Sequence, residues 1–432
     1  MARSVVAILT TSPATVLEDY HRLLNLAGYR DTVAKDAETA LKVNLTWHFW
    51  YPGCSTPPWQ LDAVIRALKR DGYDPTKMHV CHNRTVVVDA RLGERENKML
   101  AVTNAHGLQN IHLYETGEWI NIRDAVGDLA NEFICLNRVY PKGFMIPKRF
   151  MGENIIHLPT VKTHIFTTTT GAMKNAFGGL LNERRHWTHP VIHETLVDLL
   201  MVQKKIHRGV FAVMDGTFAG DGPGPRCMVP YVKNVILASA DQVAIDAVAA
   251  SLMGFDPLKE LRYVRLAHER GLGCGDLRDI EIVGDTGAAS ENWHFAGPYK
   301  NMTFASRMQH KIYWGPLKKP LAWTLKTVLA PWSYIASVAY HDFYWYPLHQ
   351  KIVDEILHSP WGRLFHNWEK VALSPDDIAV PGWKDVGGEP AKLHESTMKL
   401  LRKALGILGT AMKEAPEFKK KGSKVHSDNV TK

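Results

Sequence analysis

The sequence has few cysteines, and their spacing excludes several classes of protein. The chain of 432 residues holds only five, at Cys54, Cys81, Cys135, Cys227 and Cys274, and no two of them form a CxxC pair. A zinc ribbon, a ferredoxin-type iron–sulfur cluster and a disulfide framework all require cysteines at closer, recurring spacings. We therefore expect no iron–sulfur cluster, and a reducing, cytoplasmic environment fits this cysteine usage.

The common nucleotide-binding motifs are also missing. No segment reads GxxxxGK[ST], and the glycine-rich runs at 220–224 and 271–275 do not follow the pattern GxGxxG after a first strand. Those two patterns place backbone N–H groups around phosphates in P-loop and dinucleotide-binding proteins. ATP and dinucleotide binding are therefore weakly supported. An HExxH zinc motif is absent as well.

Long apolar runs are lacking, which bears on membrane association. The most apolar window, 321–340, contains Lys326 and Pro331, whereas a spanning helix needs about 20 predominantly apolar residues. The basic, aromatic segment 317–348, with Trp323, Trp332 and Trp345, instead predicts either peripheral membrane contact or a helical appendage on the protein body. At the N-terminus, the short apolar run before Asp19 predicts a first β-strand and not a signal peptide.

The charge is positive but dispersed. The formal net charge is +8, and the densest basic run is Lys419–Lys421 near the C-terminus, which is typical of a solvated tail. Net positive charge favours anionic partners, but the chain shows no basic stripe of the kind that binds nucleic acid. We therefore expect a small anionic ligand and no nucleic-acid partner.

Alternating apolar runs predict the fold. Short β-like runs alternate with amphipathic helical segments in units of about 30 residues, which predicts an α/β fold with a mostly parallel sheet and flanking helices. Residues 1–285 form this unit, 286–372 an aromatic, basic, helical C-terminal extension, and 373–432 a helical segment followed by a disordered basic tail. Because ligands bind beyond the carboxyl ends of parallel strands, the loops after Asn44 and Leu158 should share one edge of the sheet.

The stretch from His157 to Gly179 carries the polar groups expected of a binding site. After a short apolar run it contains two lysines, a histidine, a run of threonines, an asparagine and paired glycines. Such groups bind carboxylates or phosphates through point charges, hydroxyls and accessible backbone N–H groups. The predicted ligand-binding residues are Asn44, Lys162, Thr170, Asn175, Gly178 and Gly179. The alternative is a polar surface loop with solvated lysines.

Four residues are the predicted catalytic groups. His164, two positions after Lys162 on an extended segment, would transfer a proton near neutral pH, and Lys174 would hold the substrate. Asp215 ends a predicted strand and Asp246 lies among apolar helical residues, so both could supply a carboxylate. Alternatives remain open, since Asp215 could serve a turn and Asp246 could form a structural salt bridge with Lys162 or Lys174.

A histidine cluster provides a candidate metal site. His186, His189 and His193 are spaced by three and four residues, so on one helix they would share a face and could bind a transition metal. Pro190, however, suggests that the helix begins there. A capping or substrate-facing role is therefore the alternative to metal binding.

Several separated motifs in one order resemble the DUF362 family, a group of mostly prokaryotic α/β proteins without an assigned biochemical role. They are Lys42-Val43-Asn44 with Thr56-Pro57, the segments 158–164 and 173–179, Met214-Asp215-Gly216 with Gly222-Pro223, and the segments 240–250 and 271–273. The resemblance covers residues from Lys42 to Gly284. Many members carry a ferredoxin-like insertion with four-cysteine motifs, and this chain lacks it, so the resemblance implies no electron transfer through such clusters.

Three functional hypotheses remain open, and the sequence leaves it uncertain whether the protein is an enzyme. The first is a small-molecule enzyme that binds an organic acid or phosphate and performs proton-transfer or redox chemistry. The second is a membrane-peripheral ligand-binding protein that is cytoplasmic and membrane-associated. The third is a metal-dependent oxidoreductase that uses the histidine cluster.

Overall fold

The structure is a computed structural model that describes most of the chain. The described residues are 3–84, 88–182, 184–300, the pairs 307–308, 310–311 and 314–315, and 339–371. The predicted helical segment and disordered tail at 373–432 lie outside the described residues. So does most of the segment 317–348, of which only 339–348 is described.

The described strands form one large sheet and a separate two-stranded ribbon. Most strands read as continuous apolar runs because both faces of a parallel sheet are covered by helices. The strands are β1 Ser4–Thr10, β2 Thr39–Val43, β3 Met78–His82, β4 Gln109–His112, β5 Trp119–Asn121, β6 Met145–Pro147, β7 Asn154–Leu158, β8 Thr160–His164, β9 Thr168–Thr170, β10 Gly209–Asp221, β11 Val229–Ser239 and β12 Ile280–Gly284.

The large sheet is mostly parallel, as the alternating pattern predicted. Within the described residues it contains ten strands, in the order β12-β1-β11-β10-β7-β2-β3-β4, with β8 paired to β10 and β9 paired to β8. Strand β11 runs antiparallel to both β1 and β10, and β9 runs antiparallel to β8. The pairs β10–β7, β7–β2, β2–β3 and β3–β4 are parallel, so the carboxyl ends of these strands meet at one edge.

Helices cover both faces of the sheet. They are α1 Val16–Leu26, α2 Tyr29–Thr32, α3 Pro58–Arg70, α4 Ala90–Glu96, α5 Met99–His106, α6 Ile122–Val126, α7 Leu136–Val139, α8 Ala172–Asn175, α9 Phe177–Leu180, α10 Ile192–Ile206, α11 Gln242–Met253, α12 Pro257–Glu260, α13 Arg262–Glu269, α14 Thr286–Ala289, α15 Gly297–Lys300, α16 Tyr346–Leu357 and α17 Pro360–Val371.

Local chemistry explains several helix ends. Helix α3 begins with Pro58, whose missing N–H costs nothing in a first turn. Helix α11 begins after Asp241, whose side chain accepts hydrogen bonds from the N–H groups of Val243 and Ala244. It ends at Gly254, where φ is 98°, a left-handed conformation that favours glycine. These signals lie within a few residues of each boundary, so the sequence alone can place them.

Two hydrophobic cores lie on opposite faces of the sheet. One is built mainly by α1, α3 and the C-terminal helices, and the other mainly by α10, α11 and α13. Trp361 packs on Trp59 with ring centroids 4.9 Å apart, and Phe365 stacks on Trp50 at 3.9 Å. The described part of the C-terminal extension is therefore a helical appendage whose aromatic side chains complete the first core.

None of the helices among the described residues combines the length and the apolar character needed to cross a bilayer. Trp345, a predicted membrane anchor, is buried and donates its Nε1–H to the carbonyl oxygen of Met228 at 3.1 Å. Its indole ring therefore packs inside the protein and does not face a membrane.

Candidate anion-binding site

The carboxyl edge of the sheet brings the predicted binding residues together. Lys162 lies on β8 with its side chain fully buried, and Asn44 directly follows β2. Lys162 Nζ donates to Asn44 Oδ1 at 2.8 Å, although 118 residues separate the two in the chain. The prediction that the loops after Asn44 and Leu158 share one edge is confirmed.

Lys162 is surrounded by neutral oxygen atoms. Besides Asn44 Oδ1, its Nζ contacts Thr160 Oγ1 at 2.8 Å, the carbonyl oxygen of Cys54 at 2.5 Å and Thr46 Oγ1 at 3.4 Å. An ammonium group has three protons, so these acceptors occupy all of them. Lys162 therefore joins β8 to the loop after β2 and keeps no proton for a ligand.

Three other cations lie close to this point, and we call Lys42, Lys174 and Arg185 the basic cluster. Lys42 lies on β2 and is only 3% exposed, Lys174 lies on α8, and Arg185 begins the 3-10 helix Arg185–Val191. Lys174 Nζ and Arg185 Cζ lie 6.0 and 5.9 Å from the ring centroid of Phe177. Both are partly buried, so the cluster runs from the core at Lys42 towards the surface.

Within the described part of the chain, no carboxylate forms an ion pair with the basic cluster. Lys42 Nζ donates to the carbonyl oxygen of Val43 at 2.6 Å, and Arg185 Nε donates to that of Leu181 at 2.7 Å. Burial, reinforced by the charge of Arg185, lowers the pKa of Lys42 and of Lys174 to about 8. Burial also lowers the pKa of Arg185 to about 10. The site is therefore rich in desolvated positive charge and in unused N–H donors.

His164, which lies near the cluster, is neutral at pH 7. His164 Nδ1 accepts a hydrogen bond from the Phe166 N–H at 3.1 Å, which assigns its proton to Nε2. Burial, followed by the charge of Lys174, lowers the pKa of His164 well below its usual value. In this tautomer His164 can donate a hydrogen bond to an anion but has no free lone pair to accept a proton. Its role in proton transfer stays a prediction.

Asp246 holds the segment that carries Lys174. Its carboxylate accepts the N–H groups of Ala172 at 2.6 Å and Met173 at 3.2 Å, at the start of α8. A Cβ on Gly171 would lie 2.0 Å from Asp246 Oδ1, so only glycine fits beside this carboxylate. Burial raises the pKa of Asp246 to about 7. Among the described residues Asp246 makes no ion pair with Lys162 or Lys174, and its contacts are those of a positioning residue.

Asp215 lies in the first hydrophobic core. Its carboxylate accepts hydrogen bonds from Tyr20 at 2.6 Å, from Trp59 at 3.1 Å and from Thr217 at 2.7 Å. Burial raises its pKa to about 6, against the lowering effect of these hydrogen bonds. The described contacts connect Asp215 to α1 and α3 and not to the lysines, and its catalytic role stays a prediction.

The other predicted ligand-binding residues contact Lys42 or Lys162 and hold the surrounding backbone in place. Asn175 Nδ2 donates to the carbonyl oxygen of Lys42 at 2.8 Å, which connects α8 to β2. Gly178 and Gly179 lie against Lys42, and a Cβ on Gly179 would lie 3.4 Å from Lys42 Cε. The N–H of Gly179 donates to the carbonyl oxygen of Ala176 at 2.9 Å and is not free for a ligand. Thr170 is buried and pairs with Lys162 across the β8–β9 hairpin.

The three predicted metal ligands lie in two elements, His186 and His189 before α10 and His193 in its first turn. His189 lies between aromatic rings, 5.2 Å from Phe166 and 6.0 Å from Phe177, and His193 stacks on Tyr263 at 6.3 Å. His186 and His189 belong to the 3-10 helix before α10, as Pro190 suggested. In the part of the chain that the structure describes, neither His189 nor His193 belongs to a group of three candidate metal ligands. Metal binding by this cluster stays a prediction.

Lys42 and Arg185 were not among the predicted site residues. The signal for Lys42 was present, because a lysine inside the apolar strand run Ala40-Leu41-Lys42-Val43 is rarely buried without a reason. Arg185 had no such signal, because it lies in a polar, glycine-poor segment that reads as an ordinary loop. Only the fold brings it to the ring of Phe177.

The comparisons with known proteins agree with the resemblance stated above. The model of the family described as "Domain of unknown function (DUF362)" matches residues 39–251, which include Lys42, Lys162, Lys174 and Arg185. The chain is also similar to a thylakoid-associated protein of Synechocystis sp., with 28% identity over 109 residues. That match covers 24% of this chain and 34% of the relative, so the chain spans about a third of the relative's length. No solved structure matches the chain.

Proposed function

We propose that this protein, which belongs to the DUF362 family through its residues 39–251, binds a small anionic ligand in the basic cluster. The ligand class is an organic acid or a phosphate. One observation carries the proposal: Lys42, Lys174 and Arg185 converge without a carboxylate partner among the described residues. Burying like charges together is unfavourable, so such an arrangement is expected where a ligand supplies the opposite charge.

The donors of the cluster suit a carboxylate or phosphate. Among the described residues, Arg185 makes a hydrogen bond through Nε alone, so its two terminal nitrogens can form a bidentate pair with two oxygens of one group. Lys42 and Lys174 add point charges from the core side and from α8. His164 Nε2–H is a further neutral donor. These groups would bind two or three oxygen atoms of one ligand, which favours multivalent anions over chloride.

Proton transfer is the reaction class that this site supports best. With pKa values of about 8, Lys42 and Lys174 each have a neutral amine fraction near physiological pH. A group with a pKa near the working pH can act as both acid and base. An amine of the cluster would then take a proton from a carbon or oxygen of the bound acid. The alternative of redox chemistry, predicted from the sequence, is not addressed by any described contact.

Thermal unfolding in the presence of multivalent anions tests the proposal. We expect citrate or inorganic phosphate to raise the unfolding midpoint of the wild-type protein at pH 7. Lys174→Gln should weaken that binding by about tenfold to a hundredfold, because a hydrogen bond to a charged group contributes about 1.5–3 kcal/mol. Lys205→Gln is the matched control, since Lys205 is an exposed lysine of α10.

The proposal fails if neither anion shifts the wild-type midpoint, or if Lys205→Gln weakens binding as much as Lys174→Gln does. The second result would show that the anions act through net charge. Calorimetric titration of wild type and both variants gives the dissociation constants directly.

A peripheral membrane role is the second candidate, supported by an exposed apolar stripe. Tyr344, Leu348 and Ile352 recur at helical spacing and are 55%, 62% and 36% exposed, and Phe343 beside them is 60% exposed. The relative from Synechocystis sp. is described as thylakoid-associated. Liposome flotation tests this candidate: binding by the wild type that is lost in Leu348→Glu would support it. Equal flotation of both proteins, or none by either, would argue against it.

A further inference from the structure

A second group of ionisable side chains lies at the edge strand of the sheet, apart from the groups that the proposed function uses. His82 ends β3 and His112 ends β4, and the two are directly paired across these parallel strands. Glu94 reaches them from α4 and places one carboxylate oxygen, Oε1, against both imidazoles. His112 Nε2 lies 2.7 Å from this oxygen, and His82 Nε2 contacts the same atom. His82 and Glu94 are 1% and 4% exposed.

We propose that His82, Glu94 and His112 form a binding site for one divalent transition-metal ion of the zinc class. Each of the three residues offers one ligand atom within 4.8 Å of the other two, and both Nε2 atoms contact Glu94 Oε1, so a single ion could contact all three residues. Two imidazoles and a carboxylate are a ligand set that suits Zn²⁺ and other first-row divalent ions. Mg²⁺ and Ca²⁺ prefer oxygen ligands and fit this set poorly.

The surroundings of His112 support this assignment. Its Nδ1 faces Glu115 Oε2 at 3.4 Å. A histidine that binds a metal through Nε2 commonly donates its Nδ1–H to a carboxylate, which fixes the ring and strengthens the ligand. His82 Nε2 carries the ring proton where it faces Glu94 Oε1, whereas His82 Nδ1 is buried and has no hydrogen-bond partner within the described ranges. The proton can therefore move to Nδ1 without breaking a contact there, and Nε2 would then present its lone pair to the ion. Glu115 is therefore a positioning residue for His112.

A cleft gives access to this group from the surface. It has a volume of about 690 Å³, and His112 and Glu115 line its wall. Catalytic metal sites keep one position open for water or substrate. A cation held beside His112 would be reachable from the cleft.

A second histidine–carboxylate group of the described residues does not share these features. Glu38, His79 and Glu153 also lie within reach of one another. However, Arg149 already supplies the cation there, donating to Glu153 Oε1 at 3.2 Å and lying 3.4 Å from His79 Nδ1. A guanidinium and a metal ion would compete for the same carboxylate, so we assign the metal to His82, Glu94 and His112.

Titration with Co²⁺ tests the proposal on the full-length protein after treatment with a chelator. We expect one Co²⁺ per chain, a visible absorption band, and displacement of Co²⁺ by Zn²⁺. Glu94→Gln and His112→Asn should each weaken binding by at least about a hundredfold, and Glu115→Gln by about tenfold, because it removes only the support of His112. His193→Asn and the exposed His294→Asn are matched histidine controls and should bind as the wild type does.

Circular dichroism without metal shows which variants fold, and Glu115→Gln carries the test if the ligand variants do not. The proposal is overturned if the wild type binds no stoichiometric Co²⁺. It is also overturned if Glu94→Gln and Glu115→Gln both retain full affinity. Loss of binding in His193→Asn alone would assign the metal to the histidine cluster predicted from the sequence. Because the titration contains no anion, its outcome does not depend on the proposed anion site.

Discussion

Two buried groups of charged residues in this protein differ in how their charge is balanced. Asp62 and Arg66 on α3 and His106 at the end of α5 form one group, which we call the Asp62 network. Arg66 Nε donates to Asp62 Oδ1 at 2.5 Å, and His106 Nε2 lies 2.7 Å from the same oxygen. In the basic cluster, by contrast, the described residues offer positive charge with no carboxylate beside it. Among the described residues, the positive charge of the first group has a carboxylate partner, and the positive charge of the second has none.

This difference distinguishes charged residues that stabilise the fold from charged residues that bind a ligand. A buried ion pair recovers part of its desolvation cost through its own attraction, so the Asp62 network can connect α3 to α5 without an outside partner. The described residues give the basic cluster no such attraction, and burial lowers the pKa of Lys42 and of Lys174 to about 8. Its stability should therefore improve when a ligand binds or when a charge is removed. The predictions below test this contrast.

The largest effect should come from breaking the balanced group. Asp62→Ala leaves Arg66 buried without its carboxylate, and loss of one partner of a buried pair costs about 3–5 kcal/mol. Urea unfolding of the variant should show a correspondingly lower free energy of unfolding. Glu18→Ala, which removes the exposed partner of Arg70, is the control and should change stability by less than about 1 kcal/mol. A small effect of Asp62→Ala would mean that the network is not structural.

Removing a positive charge from the basic cluster should raise the free energy of unfolding, whereas Asp62→Ala should lower it. Lys42 has its pKa lowered from 10.5 to about 8 in the folded protein. Between these pH values the unfolded chain binds more protons than the folded one, so stability rises with pH, and the full penalty is present below about 8. Lys42→Met should therefore be more stable than the wild type at neutral pH, by up to roughly 3 kcal/mol.

The pH dependence of the stability gain in Lys42→Met shows whether the gain comes from the charge of Lys42. The gain should shrink as the pH rises from about 8 towards 10.5, where Lys42 is neutral in both states of the wild type. Urea unfolding of both proteins across this range measures the change. A stability difference that does not vary with pH would contradict the assignment of an uncompensated charge to Lys42.

Lys162 should give the smallest net effect, because its hydrogen bonds to neutral oxygens oppose the cost of burial, which lowers its pKa to about 7. Lys162→Met leaves the Asn44 side chain and the carbonyl oxygen of Cys54 without their donor, and a buried unsatisfied polar group costs about 1–3 kcal/mol. The simultaneous loss of a desolvated charge offsets some of this cost. We expect a net destabilisation within that range and an anion affinity less affected than in Lys174→Gln. If Lys162→Met were more stable than the wild type, the charge of Lys162 would be uncompensated, like the charges of the basic cluster.

Much of the fold could be predicted because its signals are local. Alternating apolar runs indicated the parallel strands, and Asp241 and Pro58 marked helix starts through hydrogen bonds or geometry within three residues. The site was predicted in part for the same reason. Lys162, Lys174 and Asn44 stand beside glycines and threonines at predicted strand ends, and the rule for parallel sheets placed them at one edge.

The roles of these residues could not be predicted, because partners distant in sequence decide them. Lys162 satisfies its protons on the loop after β2, whereas Lys42, inside a strand, keeps donors unused. Asp246 and Asp215 look alike in sequence as single acids among apolar residues. Asp246 accepts the N–H groups that begin α8, whereas Asp215 accepts hydroxyl and indole donors from α1 and α3.

By itself, the sequence determined the order of strands and helices, the family, and the presence of lysines and histidines at the ends of strands, because these depend on local pattern and composition. The tertiary structure alone decided which charges are balanced. It brings His112 beside His82, and Arg185 close to Lys42, because parallel strands connected by long crossovers place side chains together that are far apart along the chain.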